Sequence, residues 1–103
     1  MMNTPSSNSK LGRSLIDEMN RLGILVDLSH TSDATAVQAI DHSKAPVIWS
    51  HSSARAVHDV PRNVPDDILK LIGTGEGKKD AVVMVCSSHY DISVMNFSLK
   101  LML

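Results

Sequence analysis

A chain of 103 residues with a net charge of −1 at neutral pH suffices for one small domain, well short of the roughly 250 residues that an eight-stranded α/β barrel occupies. With no basic excess and a single Trp, Tyr and Phe, it lacks the electrostatic footprint and the stacking surfaces of a nucleic-acid binder. One cysteine, Cys86, excludes an intrachain disulfide and any CxxC pair, and no stretch reaches the roughly 18 apolar residues of a membrane span.

Residues 1–10 are a polar, Ser/Asn/Pro-rich lead, expected to be disordered. The lead has no apolar run of the signal-peptide kind, which leaves a cytoplasmic location as the default expectation. From 11 to 22, Leu11, Leu15, Ile16, Met19 and Leu22 recur at helical spacing, and Gly23 stands where a C-cap glycine belongs. Residues 24–28 are continuously apolar except for Asp27, the pattern of a buried parallel strand. Thr31, Ser32 and Asp33 supply N-cap chemistry for a second helix to about residue 41, with Ala36, Val37 and Ile40 facing inward. Residues 46–49 read as the next strand, and 52–63 as a loop or short helix. Pro65, Asp66 and Asp67 then open a third helix whose apolar face is Ile68, Leu69, Leu71 and Ile72. A Gly-rich break leads to a third strand at 81–85. The α-β-α-β-α-β order predicts an α/β fold built on a parallel sheet. Residues 86–103 show no clean helical stripe and are expected to form an exposed apolar tail.

Chemistry gathers at two positions. His30 follows the first predicted strand and His51 the second, 21 residues further on, with room for one helix between. Both imidazoles should therefore lie at the C-terminal edge of the sheet, where α/β folds keep their active sites. A pair of neutral imidazoles there can bind one Zn²⁺, and two unexceptional strand-end histidines remain the alternative. Asp27, inside an apolar strand, needs a partner and suits either a group orienting His30 or a structural network. Arg55 and Arg62 follow His51, and either guanidinium can clamp a carboxylate with two parallel hydrogen bonds or serve as surface charge. Ser52 and Ser53 read as turn residues or hydrogen-bond partners, because no nucleophile elbow surrounds them. His58-Asp59 looks like a solvated loop pair, His42 like a helix-end residue and Cys86 like a small buried side chain.

Residues 21–32 (Arg-Leu-Gly-Ile-Leu-Val-Asp-Leu-Ser-His-Thr-Ser), 45–54 (Ala-Pro-Val-Ile-Trp-Ser-His-Ser-Ser-Ala) and 62–67 (Arg-Asn-Val-Pro-Asp-Asp) together resemble the membrane dipeptidase (renal dipeptidase) family of zinc hydrolases. The resemblance covers residues 11–85 and implies a fragment of a (β/α)8 barrel, about three parallel strands with intervening helices. It implies that His30 and His51 are ligands of one zinc in a binuclear pair and that Arg62 holds the C-terminal carboxylate of a dipeptide substrate. The implied reaction is dipeptide hydrolysis by water activated between two metals. The family pattern also contains an HxD pair, a bridging glutamate, a substrate-binding histidine and a late aspartate, none with a counterpart here. The isolated chain is accordingly expected to be an inactive, truncated piece, prone to self-association through open sheet edges. The competing expectations are a non-enzymatic fragment and a different binuclear amidohydrolase of the same barrel type.

Overall fold

The computed structural model describes residues 9–86. The elements alternate as the apolar pattern predicts: α1 (Lys10–Leu22), β1 (Val26–Asp27), α2 (Asp33–His42), β2 (Val47–Trp49), α3 (Asp66–Leu69) and β3 (Ala81–Val83). The three strands form one parallel sheet in the order β1-β2-β3. This is an α/β architecture of three parallel strands in sequence order with helices between them, as the α-β-α-β-α-β pattern predicts. Among the described residues no helix is long and apolar enough to cross a membrane.

Helix ends follow local chemistry. The Ser9 side chain accepts from Gly12 N–H at the start of α1, and Ser32 accepts from Thr35 N–H at the start of α2. Helix α1 ends on Gly23 at φ 76, and the next amide, Ile24 N–H, donates to Met19 O at 2.9 Å. Only glycine adopts that backbone without a Cβ penalty, so the C-cap position was readable in the sequence. Helix α3 is a single turn, shorter than its apolar pattern suggests: Ile68 is buried, whereas Leu71 lies beyond its end and is exposed.

Among the described residues the sheet is covered on one face only. Val26, Leu28, Val47 and Trp49 point into a core shared with Ile16 of α1, Ala36, Ala39 and Ile40 of α2, and Ile68 of α3. The pleat sends alternate residues to the other face, where Asp27 pairs in register with Ile48 and Ile48 with Val82. There Leu25 is 61% and Val82 52% exposed. The expectation that 24–28 is wholly buried is therefore corrected: Ile24 and Leu25 are exposed, and the regular strand is confined to Val26–Asp27. The predicted lead, apart from Ser9 and Lys10, and the tail beyond Cys86 lie outside the described residues.

After β2 the chain makes a loop that closes on itself. Arg55 N–H donates to Val64 O and Val64 N–H to Ser53 O, forming an isolated parallel bridge between Ala54 and Val64. Within it, Asn63 is buried; its Oδ1 accepts from Ser53 N–H at 2.9 Å and its Nδ2 donates to His58 O at 2.8 Å. A second strut crosses to α2, where Arg55 makes a bidentate pair with Asp33 at 2.8 Å and also donates to Asn63 O and Pro61 O. This pairing holds the Asp33 carboxyl below its ordinary range, with partial burial opposing it.

Candidate metal centre

Both histidines stand just past the C-terminal ends of adjacent strands, and parallel pairing of β1 with β2 sets those ends side by side. The two rings meet. Their Nε2 atoms are 2.8 Å apart, with ring centroids 4.7 Å apart and planes inclined at 53°. They reach this point from unlike backbones. His30 is the non-glycine position with a left-handed φ among the described residues, at 69°, a conformation that costs a β-carbon about 1–2 kcal/mol. Such strain concentrates where a side chain must be aimed rather than packed.

A web of hydroxyls and one carboxylate surrounds the pair. Asp27 Oδ1 accepts from the Ser29 and Ser50 backbone N–H groups, both at 3.0 Å, and its Oδ2 accepts from the Ser50 hydroxyl. Ser50 Oγ in turn lies 2.8 Å from His51 Nδ1. Ser29 Oγ accepts from His51 N–H at 3.1 Å and sits 2.9 Å from Ser52 Oγ. Partial burial works to raise the Asp27 pKa. The hydrogen bonds from the Ser50 hydroxyl and the two backbone donors, with the nearby His51, outweigh it and hold the carboxyl below its usual value. Asp27 thus connects through Ser50 to His51, not to His30, and its Oδ1 ties the two histidine-bearing turns together.

Arg62 joins this centre through the main chain, its Nη1 donating to His51 O at 2.7 Å. That leaves the Nε–Nη2 edge of the guanidinium, a two-donor fork suited to a carboxylate, without a carboxylate partner among the described residues. Arg55, the other candidate, is committed to Asp33 and is a structural clamp. His42 pairs with Asp17 of α1 at 2.9 Å, and His58 and Asp59 stay exposed in the loop. Ser52 and Ser53 are buried hydrogen-bonding residues, as their sequence context suggests. Reasoning from sequence overlooked Ser29, Ser50 and Asn63. A signal existed for the first two, since His30 and His51 are each preceded by serine.

The donors suit a divalent cation in kind. Two imidazole nitrogens on a tetrahedral zinc stand ~3.3 Å apart given bonds of about 2.0–2.1 Å, so the observed pair needs to open by about half an ångström. Among the described residues no third His, Cys, Asp or Glu gathers with them. The described residues therefore offer two candidate ligands, fewer than a closed or catalytic zinc site requires.

The paired histidines stand at the C-terminal edge of a parallel α/β sheet, where α/β-barrel folds keep their active sites. A family model described as "Membrane dipeptidase (Peptidase family M19)" matches residues 2–98, and the chain belongs to that family. An uncharacterized dipeptidase of Schizosaccharomyces pombe is 54% identical over 77 residues, covering 75% of this chain and 18% of that protein. Among solved structures, the probable dipeptidase PvdM from Pseudomonas aeruginosa aligns with a TM-score of 0.63 at 33% identity, over 75% of this chain and 18% of that one. A metallo peptidase from Rhodobacter sphaeroides, solved with a phosphinate mimic of the dipeptide L-Ala-D-Ala, aligns with a TM-score of 0.61 at 38% identity, over 64% of this chain and 19% of its own. The chain thus spans less than a fifth of the length of these relatives.

Proposed function

We propose that this chain carries part of the active site of a zinc-dependent dipeptidase: His30 and His51 as ligands of one zinc of a binuclear pair, and Arg62 as the binder of the substrate's C-terminal carboxylate. The observation that carries the reading is the convergence of two Nε2 atoms from neighbouring strand ends to 2.8 Å. A bound metal pair would supply Lewis-acid polarisation of the scissile carbonyl and an activated water. His30 and His51 would hold their share of that pair, and the parallel pairing of β1 with β2 sets the two rings side by side. Arg62, anchored on His51 O, keeps a two-donor fork free of any carboxylate partner among the described residues, which would orient a short substrate by its free carboxylate. A dipeptide is the substrate class that the family suggests, and the phosphinate dipeptide mimic held by the Rhodobacter relative supports it.

With two candidate ligands among its described residues, the 103-residue chain alone is not expected to turn over substrate. Its uncovered sheet face, with Leu25 and Val82 exposed, and its open strand edges favour association with another strand-bearing segment or a second copy. Transplanting residues 11–85 into the matching part of the Rhodobacter enzyme tests the reading. The chimera should hydrolyse dipeptides, lose activity and bound metal with His30→Ala or His51→Ala, and show a raised KM with Arg62→Ala. An active chimera indifferent to both histidine substitutions would overturn the assignment.

A further inference from the structure

We infer that Asp27 and Ser50 are positioning residues that lock His51 in its Nδ1–H tautomer and so aim the Nε2 lone pair at His30. The use of that lone pair rests on the metal reading above, but the lock itself does not, because it is built from hydrogen bonds present without any ion.

The argument is one of hydrogen counting. An ionised carboxylate only accepts, and Asp27, its pKa held below the ordinary range, is ionised at neutral pH. Ser50 Oγ lies 2.5 Å from Asp27 Oδ2, a separation that two oxygens tolerate only with a hydrogen between them. That hydrogen is the serine's own, so the Ser50 hydroxyl has no second hydrogen for His51. At 2.8 Å from Ser50 Oγ, Nδ1 must therefore be the donor. In a neutral imidazole the other nitrogen is then bare. Reversing the order, with Ser50 donating to Nδ1, would set two hydrogen-free oxygens against each other at Asp27.

The relay is also braced against rotation. Asp27 Oδ1 is held by the Ser29 and Ser50 amides, which leaves Oδ2 turned toward the hydroxyl, and Ser29 Oγ fixes the His51 backbone N–H. His30 has no such brace. Its ring is exposed, with no hydrogen bond other than the one to His51 among the described residues. In the ion-free chain His30 must then donate Nε2–H across the 2.8 Å contact, and because its Nδ1 has no partner among the described residues it can shift to the Nδ1–H tautomer without breaking a second hydrogen bond. One ligand is fixed in advance and the other adjusts. A carboxylate reaching a ligand histidine is a common orienting device. Here it acts through an intervening hydroxyl, across two strands.

The test is ¹⁵N NMR of the imidazole rings in the full chain, without metal and at a pH well above the ordinary histidine range. The ¹⁵N shifts should show His51 as Nδ1–H and His30 as Nε2–H; His51 as Nε2–H overturns the proposal with no variant needed. Asp27→Asn sharpens it. The amide oxygen would keep the two backbone donors and the amide N–H would point at Ser50, reversing the relay and converting His51 to Nε2–H, as replacing an orienting carboxylate by its amide does in a catalytic triad. Ser50→Ala should give mixed tautomers and Ser50→Thr should restore the lock, with amide dispersion confirming that each variant is folded. Retention of a pure Nδ1–H form in Ser50→Ala contradicts the inference. Zn²⁺ affinity, read separately, should fall about 10- to 100-fold in Asp27→Asn and Ser50→Ala. Failure of the wild-type chain to bind Zn²⁺ while His51 is Nδ1–H would sink the metal reading and leave the lock standing.

Discussion

His30 and His51 sit at equivalent places on adjacent strands, yet the chain treats them differently. His51 is half-buried, with its amide, carbonyl and Nδ1 all engaged, by Ser29, Arg62 and Ser50. His30 is exposed on a left-handed backbone, and among the described residues its ring's one hydrogen bond is to His51. One histidine is held by a hydrogen-bond network and the other by the shape of the main chain. Rigidity at one ligand and adjustability at the other is what a site needs if its nitrogens must separate by about half an ångström to admit an ion.

The contrast is broken most severely on the networked side. Asn63 is 2% exposed and closes the loop behind His51, so Asn63→Ala should leave the Ser53 N–H and the His58 carbonyl without partners and cost about 2–3 kcal/mol in urea denaturation. A loss below about 0.5 kcal/mol would mean that water replaces the amide. A smaller effect tests the two backbones directly. His30→Gly should be more stable than His30→Ala by about 1 kcal/mol, because glycine relieves the left-handed strain. At His51, whose φ is ordinary, the order should reverse, with glycine about 0.5–1 kcal/mol less stable than alanine. The same order at both positions would remove the distinction.

The weakest lever is the Asp33–Arg55 strut that ties α2 to the His51 loop. Asp33 is about half exposed, so Asp33→Asn should cost at most about 1 kcal/mol at neutral pH. Its folded pKa is depressed, so the strut's contribution is present above the ordinary aspartate value of about 3.9 and is lost as pH falls through the lower folded value. The gap between wild type and Asp33→Asn should close in acid, and a gap that persists there would argue against an ion pair.

Much of this was legible in the sequence, and the unread part has a physical cause. Gly23 marked the end of α1, continuous apolar runs marked the parallel strands, and a histidine after each of the first two runs marked the site edge. Strand limits were overread at Ile24 and Leu25, because an apolar run does not reveal which face of a sheet receives a cover. Asp27 was recognised as needing a partner, but whether it served His30 or His51 depends on strand register, which puts Asp27 opposite Ile48 and within reach of Ser50. Arg55 and Arg62 are indistinguishable as letters. They separate only when the loop folds back, spending one guanidinium on Asp33 and leaving the fork of the other without a carboxylate partner among the described residues.

The central claim is that two strand-end histidines from this chain form half of a metal centre. Titration of Zn²⁺ into the purified chain, beside His30→Ala, His51→Ala and the double variant, tests it most directly. The account predicts one ion per chain, bound less tightly after either single substitution and not at all by the double variant. Equal binding by the wild type and the double variant would contradict it.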